Sequence, residues 1–250
     1  MTQKTALITG ASVGIGEATA RHLHALGFSL ILVARRKEKL DKLNSELGGK
    51  HAVYECDVND KGAILTLLEG LTCDVDVLLN NAGLALGLDS ADKSNWDHWE
   101  TMINTNCLAL AYLTRQLLPK MVARNRGHII NLGSIAGTYA YKGGNVYGAT
   151  KAFVEQFSLG LLADLMGTAI KVTNLEPGLI GGTEFSNVRY EGDDDKASSM
   201  YTNCQPLTAN DIAQTIGWLV TQPEHVNVNR MEIMPVCQAP AGVSVYKEGS

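Results

Sequence analysis

Short apolar runs alternate along this chain with longer segments whose apolar residues recur at helical spacing. The short runs predict strands at Thr5–Thr9, Ser29–Ala34, His51–Cys56, Val75–Asn80, Gly127–Gly133, Ile170–Glu176 and Val228–Pro235. The longer segments predict helices at Ile15–Leu26, Lys37–Leu47, Lys61–Leu71, Trp96–Arg124, Val146–Met166 and Ala209–Thr221. Several runs are apolar throughout, as in a sheet that is covered on both faces. The pattern therefore predicts an α/β fold, a doubly wound parallel sheet of about seven strands with helices on both faces.

Composition narrows the class of protein. A chain of 250 residues is long enough for a single α/β domain, which buries roughly 70 to 75 % of its unfolded surface. The net charge of −5 argues against nucleic acid or an anionic membrane as a partner, because both require clustered cations. No apolar stretch approaches the roughly eighteen residues of a membrane helix. The first strand also begins too early for a signal peptide, so we expect a cytoplasmic protein.

Cysteine and histidine usage favours free thiols and no metal site. The five cysteines are Cys56, Cys73, Cys107, Cys204 and Cys237. Their odd number and the absence of a Cys-x-x-Cys pair favour reduced, mostly structural thiols. The six histidines form no metal-binding pattern. We therefore expect no metal.

A glycine-rich turn follows the first strand, with the sequence Gly10-Ala11-Ser12-Val13-Gly14-Ile15-Gly16. A turn without side chains lets backbone N–H groups and the start of the next helix approach a pyrophosphate. The spacing differs from the Gly-x-Gly-x-x-Gly of the usual dinucleotide-binding loop. A tight structural turn is the alternative, since corners between strands and helices favour glycine. The position directly after the first strand favours a dinucleotide.

Tyr147 and Lys151 stand four residues apart and therefore share one helix face, behind Ser134 at the end of the fifth strand. A free phenol has a pKa of about 10, and a nearby ammonium and an oxidised nicotinamide ring both favour the phenolate. A pKa about three units lower would suit Tyr147 for general acid–base work. Ser134 can donate a hydrogen bond to a substrate oxygen on which negative charge develops. Taken alone, Tyr-x-x-x-Lys is also compatible with an ordinary amphipathic helix.

The end of the second strand indicates which nicotinamide cofactor is used. An NAD enzyme usually places an acidic side chain there, which accepts a hydrogen bond from the ribose 2′-hydroxyl. In this chain Ala34 takes that position, and Arg35 and Arg36 follow it. Arginine suits a 2′-phosphate because it binds phosphate through a planar fork of donors. We therefore expect NADP, and a solvated arginine pair at a helix start is the alternative.

Motifs along nearly the whole chain resemble those of the short-chain dehydrogenase/reductase family, in the family's order. The matches are Thr9–Gly16 for Thr-Gly-x-x-x-Gly-x-Gly, Asp57-Val58, Asn80–Gly83 for Asn-Asn-Ala-Gly, Asn106, Ser134, Tyr147–Lys151 and Pro177-Gly178. Ala109 departs from the pattern, because many relatives have glycine there. The resemblance implies a Rossmann-like fold and hydride transfer with a nicotinamide cofactor.

The resemblance also implies a role for each matching residue. Asn106, Ser134, Tyr147 and Lys151 would be catalytic; Asn106 would anchor a water that passes the proton outward, and Lys151 would also bind the nicotinamide ribose. Asp57 would meet the adenine amino group. The cofactor-binding residues would be Gly10, Ala11, Ser12, Val13, Gly14, Ile15, Gly16, Arg35, Arg36, Asp57, Val58, Asn81, Ala82, Gly83, Tyr147, Lys151, Pro177, Gly178, Ile180 and Thr183.

Segments Asn81–Gly87, Gly143–Phe153, Glu176–Arg189 and Met234–Gln238 resemble a subgroup of that family, the NADP-dependent 3-hydroxy acid dehydrogenases. Such enzymes oxidise serine, allo-threonine and related acids such as 3-hydroxypropionate, reduce malonic semialdehyde and are typically homotetramers. The resemblance implies the same for this chain. Two alternatives stay open. One is a reductase of the same fold that acts on a sugar, steroid or acyl ketone, and the other is a non-catalytic dinucleotide sensor.

The least regular region, residues 181–207, follows the sixth strand at the edge of the sheet where ligands bind in such folds. A long irregular segment in a compact domain is often functional, so we expect a substrate lid here. A 3-hydroxy acid enzyme must recognise a carboxylate. Arg189 in the lid is predicted to bind it as a bidentate clamp, beside substrate contacts from Ser134 and Tyr147. Lys142 is the second candidate, and a solvated lid residue is the alternative for Arg189.

Overall fold

The computed structural model describes residues 3–190, 192, 193, 195 and 203–240. Its strands are β1 (Thr5–Thr9), β2 (Ser29–Ala34), β3 (Ala52–Glu55), β4 (Val77–Asn80), β5 (Gly127–Leu132), β6 (Ile170–Pro177) and β7 (Arg230–Ile233). They form one sheet in the order β3-β2-β1-β4-β5-β6-β7, and every neighbouring pair is parallel. The predicted fold class is confirmed.

Helices cover both faces of this sheet. They are α1 (Gly14–Ala25), α2 (Lys37–Glu46), α3 (Lys61–Glu69), α4 (Trp96–Ile103), α5 (Leu110–Arg124), α6 (Asn145–Asp164), α7 (Glu184–Arg189) and α8 (Ala209–Thr221). Strand β1 shows how the core is divided. Ala6 and Ile8 pack with residues of α1, α2 and α8 on one face, whereas Leu7 packs with residues of α3, α5 and α6 on the other. Successive side chains of a strand point to opposite faces, so a strand buried on both faces is apolar throughout.

The order of the strands decides where a ligand can bind. The chain moves to one side of β1 through β2 and β3, and then to the other side through β4, β5, β6 and β7. Neighbouring loops therefore leave the sheet in opposite directions after β1 and β4. In open parallel sheets the crevice at such a switch point, outside the carboxyl ends of the strands, is where ligands bind.

The helix predicted over Trp96–Arg124 spans these residues, but its middle is a π-helical turn rather than α-helix. Helix α4 ends at Ile103, a π-helical turn spans Asn104–Ala109, and α5 begins at Leu110. Apolar periodicity does not detect the extra residue that widens one turn of a helix. Such π-turns occur frequently at functional sites, and the predicted catalytic residue Asn106 lies in this one.

The region predicted as a lid is only partly described, since residues 191, 194 and 196–202 lie outside the described residues. It includes the short helix α7, which the sequence pattern did not indicate. An isolated parallel bridge between Ile180 and Leu207 joins the two ends of the segment. The extent of the lid stays a prediction.

The prediction of free thiols is wrong for one pair of cysteines. Cys204 and Cys237 form a disulfide, although 33 residues separate them in the sequence. The chain after β7 folds back against the segment before α8, and no spacing rule shows this proximity. Cys56, Cys73 and Cys107 are free thiols.

In the described part of the chain, no helix combines the length and the apolar character of a membrane span. Among the same residues, no group of three or more His, Cys, Asp or Glu side chains could hold a metal ion.

Candidate active site

A cleft of about 530 Å³ opens at the carboxyl ends of β1, β4, β5 and β6. It brings together most of the predicted site residues: Gly10, Ser12, Val13, Gly14, Ile15, Arg35, Arg36, Asp57, Val58, Asn81, Ala82, Gly83, Ser134, Tyr147, Lys151, Pro177, Gly178, Ile180, Thr183 and Arg189. The cleft lining does not include Ala11, Gly16 and Asn106, which are buried. These three residues therefore shape the walls of the cleft from behind.

The glycine-rich turn is held against the end of β4 by Asn81. Asn81 Nδ2 donates to the carbonyl oxygens of Thr9, at 2.8 Å, and Gly10, at 3.3 Å. Gly10 has a φ of 65°, in the left-handed region that favours glycine. A Cβ on Gly16 would lie 2.3 Å from the Gly10 oxygen, so no side chain fits there. The turn is therefore tight, and its shape depends on both glycines and on the Asn81 amide.

Three of the predicted catalytic side chains meet on the other side of the cleft. Tyr147 and Lys151 lie on the buried face of α6, 8 % and 7 % exposed. Lys151 Nζ donates to the Leu132 carbonyl at 2.7 Å and lies 5.8 Å from the centroid of the Tyr147 ring. Ser134 follows β5, caps a short 3₁₀ turn by accepting from the Ala136 N–H through its Oγ at 3.1 Å, and lines the same cleft as Tyr147. The Tyr147 phenol, which can donate or accept a proton, and the Ser134 hydroxyl therefore line the same part of the cleft.

Burial governs the protonation of the catalytic pair. It raises the pKa of Tyr147 to about 12, while the Ser134 hydrogen bond and the Arg189 charge act in the opposite direction. Burial also lowers the pKa of Lys151 to about 8. A buried site opposes charge on either side chain. Tyr147 is therefore a neutral phenol that holds its proton. The lowered Tyr147 pKa expected beside Lys151 and an oxidised nicotinamide ring concerns the cofactor-bound enzyme and stays a prediction.

The π-helical turn fixes Asn106 between α6 and the loop after β4. Asn106 Nδ2 donates to the Leu84 carbonyl at 2.9 Å and to Thr150 Oγ1 at 3.0 Å. Its Oδ1 accepts from the Leu84 N–H at 3.0 Å. Thr150 Oγ1 in turn donates to the Tyr147 carbonyl at 2.7 Å. Both donors of the Asn106 amide thus hold the backbone and the helix that carry the catalytic groups.

Cations cluster at the end of the cleft beside β2. Arg35 is exposed, and Arg36 Nη2 donates to Ser12 Oγ at 3.4 Å. Sequence reasoning missed two charged neighbours. Glu184, the first residue of α7, forms ion pairs with Arg36 and with Lys39, each at 2.9 Å. Lys39 could have been found from the sequence because it stands three residues after Arg36, and residues three apart on a helix are neighbours. No sequence pattern links either cation to Glu184.

Arg189 lies over Tyr147, the predicted catalytic tyrosine. Its guanidinium carbon is 5.6 Å from the centroid of the Tyr147 ring and 5.2 Å from that of Tyr141, and Nη2 donates to the Tyr141 hydroxyl at 2.5 Å. Arg189 Nε is buried and has no hydrogen-bond partner among the described residues. Lys142, the second candidate for the substrate carboxylate, is exposed and does not line the cleft. The geometry therefore favours Arg189 over Lys142, and Tyr141 is a neighbour that sequence reasoning missed.

Comparison with known families agrees with this geometry. A family model described as "short chain dehydrogenase" matches residues 4–194, more than half of the chain. The chain belongs to the short-chain dehydrogenase family. The resemblance predicted from the motifs is confirmed.

Two curated proteins and one solved structure are similar to this dehydrogenase over almost its whole length. "NADP-dependent 3-hydroxy acid dehydrogenase YdfG" of Escherichia coli strain K12 is 51 % identical, covering 97 % of this chain and 99 % of the relative. "Serine 3-dehydrogenase" of Rhizobium radiobacter is 46 % identical, with 98 % of both chains covered. "The closed form of serine dehydrogenase complexed with NADP+" superposes with a TM-score of 0.96 at 51 % identity, covering 98 % of this chain and 100 % of that one.

The dehydrogenase holds the loop after β6 from two sides. Gly178 N–H donates to the Ile233 carbonyl at 2.7 Å, and Leu179 N–H donates to Gln238 Oε1 at 2.7 Å. On the other side the Leu207 N–H donates to the Leu179 carbonyl at 3.0 Å. Gln238 also lines the cleft, and sequence reasoning did not assign it a role. Segments from both sides of the disulfide thus position the loop of residues 178–183 (the nicotinamide loop), which carries the predicted cofactor-binding residues Gly178, Ile180 and Thr183.

A second feature of the dehydrogenase that sequence reasoning missed is an ion-pair cluster around Arg230 of β7. Its Nε donates to Glu176 Oε2 at 2.8 Å, and Nη1 pairs with Glu155 of α6 at 2.9 Å. Nη2 donates to Thr138, just after the Ser134 turn. Burial raises the pKa of Glu176, and its bond to Arg230 opposes that rise. The cluster joins three segments that carry the nicotinamide loop, the catalytic helix and the Ser134 turn.

Proposed function

We propose that this dehydrogenase transfers a hydride between NADP and the 3-hydroxyl or 3-oxo group of a small 3-hydroxy acid, such as serine, allo-threonine or 3-hydroxypropionate. Similarity to proteins named for 3-hydroxy acids and for serine supports the reaction class. The observation that carries the choice of a carboxylate substrate is the Arg189 guanidinium beside Tyr147 in the cleft.

The residues present fit NADP. The turn Gly10–Gly16 and the start of α1 would hold the pyrophosphate, because the glycines leave backbone N–H groups accessible. Ala34 offers no carboxylate to a 2′-hydroxyl, and Arg35 and Arg36 supply the cations that a 2′-phosphate requires. A Cβ on Gly83 would lie 3.1 Å from Asn106 Oδ1, closer than an ordinary contact, so a side chain fits poorly there and the backbone is left open to a ribose. Bound NADP supplies the hydride acceptor.

Tyr147 carries the proton in this mechanism. In the reduction direction its phenol donates a proton to the oxygen of the 3-oxo group, and in the oxidation direction the phenolate accepts the proton of the 3-hydroxyl. The raised pKa keeps the phenol protonated in the protein without cofactor, which suits the reduction. Ser134 donates a hydrogen bond to the same substrate oxygen. Lys151, whose pKa burial lowers, supports the phenolate when it is charged.

Arg189 would bind the substrate carboxylate. A guanidinium binds a carboxylate through two parallel N–H bonds, which orients the substrate as well as attracting it. Its Nε is buried and has no partner in the part of the chain that the structure describes, so this donor is available to a substrate without breaking a bond seen there. Tyr141 holds Nη2 from the opposite side. Arg189, in the predicted lid, would thus let the enzyme distinguish a 3-hydroxy acid, which carries a carboxylate, from a plain alcohol.

A substrate screen with a matched pair of variants tests the proposal. NADP reduction is measured with L- and D-serine, allo-threonine, 3-hydroxypropionate and an uncharged secondary alcohol. Arg189→Ala should lose roughly 30- to 900-fold in kcat/KM for serine, equivalent to about 2 to 4 kcal/mol. Lys142→Ala, at the exposed position, is the control and should change little. Equal losses with serine and with the uncharged alcohol would reject the clamp and favour another carbonyl substrate.

We also propose that the enzyme is a homotetramer in the cytoplasm. Apolar side chains are exposed on helices of opposite sides of the subunit, with Leu108 54 % and Trp218 50 % exposed, and such surfaces suit contacts between copies. Light scattering should give four times the mass of one chain. Disulfides are rare in reducing compartments, so alkylation of thiols in fresh lysate tests the location. Reduced Cys204 and Cys237 would support the cytoplasm, and an intact Cys204–Cys237 disulfide would contradict it.

A further inference from the structure

The Glu184 carboxylate, at the start of α7, pairs with two of the cations beside β2, Arg36 and Lys39. Glu184 Oε2 lies 2.9 Å from Arg36 Nη2, and Glu184 Oε1 lies 2.9 Å from Lys39 Nζ. The same Arg36 nitrogen donates to Ser12 Oγ in the glycine-rich turn at 3.4 Å. The carboxylate therefore spans the cleft from α7 to α2, at the end where Ala34 leaves room for a phosphate.

Arg36 and Lys39 have the chemistry of a phosphate-binding site, and the Glu184 carboxylate occupies the position between them. Arginine presents a planar fork and lysine a compact point charge, and the two together are suited to an oxyanion of charge near −2. The same cations lower the pKa of Glu184, so it is ionised at neutral pH. A carboxylate and a phosphate repel each other and compete for the same N–H donors. Glu184 thus occupies donors that a 2′-phosphate would use.

We propose that Lys39 and Glu184 are specificity-determining residues for the cofactor. Lys39 joins Arg36 in binding the 2′-phosphate, and the Glu184 carboxylate neutralises both cations until that phosphate displaces it. A cofactor with a 2′-hydroxyl lacks the charge to displace Glu184 and leaves the ion pairs intact. This inference rests on the proposed use of NADP. Displacement also frees the first residue of α7, the helix whose last residue is Arg189.

Binding of nucleotides to the cofactor-free enzyme tests the proposal without turnover. The probes are adenosine 2′,5′-bisphosphate, which carries the 2′-phosphate, and adenosine 5′-monophosphate, which lacks it, each titrated by calorimetry. Glu184→Gln keeps the shape of the side chain and removes its charge. Half-exposed ion pairs each contribute at most about fivefold to an equilibrium constant. We therefore expect the variant to bind the bisphosphate about three- to tenfold more tightly and the monophosphate within about twofold of wild type.

Two further variants separate this effect from general charge. Lys39→Met should weaken binding of the bisphosphate about three- to fivefold, as loss of a half-exposed ion contact does, and an unchanged affinity would show that Lys39 does not bind the 2′-phosphate. Asp41→Asn is the matched control, because Asp41 also lies on α2 but pairs with Lys37, at 2.6 Å. It should leave the bisphosphate affinity within about twofold. If Asp41→Asn and Glu184→Gln increased the affinity for the bisphosphate equally, the proposal would be overturned, because the removal of any nearby negative charge would then explain the effect.

The remaining outcomes distinguish this inference from the assignment of NADP. If Glu184→Gln weakens the bisphosphate or leaves it unchanged, Glu184 is not a competitor and the inference fails. If wild-type enzyme shows no preference for the bisphosphate over the monophosphate, the assignment of the 2′-phosphate site itself fails. Circular dichroism and melting temperatures of all three variants show whether each is folded.

Discussion

Removing the guanidinium of Arg230 should destabilise the fold, because it leaves the buried Glu176 carboxylate without its cation. Glu176 is 1 % exposed, and breaking a fully buried ion pair by removing one partner costs about 3 to 5 kcal/mol. The Arg230 side chain is 37 % exposed, so water screens the pair. The expected loss for Arg230→Met is therefore roughly 2 to 3 kcal/mol. For a chain of this size the melting temperature should fall by roughly 4 to 12 °C.

The loss should depend on pH through Glu176. Burial raises the pKa of this carboxyl, and the hydrogen bond and charge of Arg230 oppose that rise. In Arg230→Met the opposing effect is absent, so the folded-state pKa lies further above that of the unfolded chain. Between the two pKa values the folded protein binds more protons, so stability increases as the pH falls. The deficit should therefore be larger at about pH 8 than at about pH 5, by at most roughly 1.4 kcal/mol per pH unit.

Urea unfolding at fixed protein concentration measures this loss, because subunit association would otherwise change the apparent stability. Arg21→Met is the control. It removes ion pairs with Glu17 and Glu46 on the surface and should cost less than about 1 kcal/mol. Adding Glu176→Gln to Arg230→Met should restore most of the stability. A deficit no larger than that of Arg21→Met, or one that Glu176→Gln does not reduce, would refute the reasoning.

Three further predictions concern the cleft. Tyr147→Phe should lose roughly 10²- to 10⁴-fold in turnover yet still bind NADPH, measured by fluorescence; more than about a tenth of wild-type turnover would point to another base. Combining Ala34→Asp with Arg35→Ala and Arg36→Ala should reverse the preference for NADP over NAD in kcat/KM, since the phosphate contacts favour NADP about ten- to hundredfold. Equal use of both cofactors by the wild-type enzyme would contradict this role of the arginines. Gln238→Ala should raise the Kd for NADPH about fivefold, because a main-chain N–H of the nicotinamide loop loses its acceptor, whereas an unchanged Kd would show that the loop is held without it.

Sequence patterns determined the features that depend on local chemistry. Alternating apolar segments suffice for a doubly wound sheet, since each strand and helix must bury its apolar face. The turn Gly10–Gly16 and the Tyr147–Lys151 pair were visible because their chemistry requires particular residue types at fixed spacing. Arg189 was selected as a candidate from the chemistry of the proposed substrate, because binding a carboxylate requires a cation, and the structure places it in the cleft.

Only the tertiary structure decided the features that depend on residues far apart in the chain. The ion pairs of Glu184 with Arg36 and Lys39 join residues more than 140 positions apart, and Arg230 meets Glu176 across neighbouring strands. The raised pKa of Tyr147 likewise follows from burial rather than from spacing. Desolvation and long-range pairing are set by how the elements pack, so the sequence determined the candidate groups and the packing determined their charge and their partners.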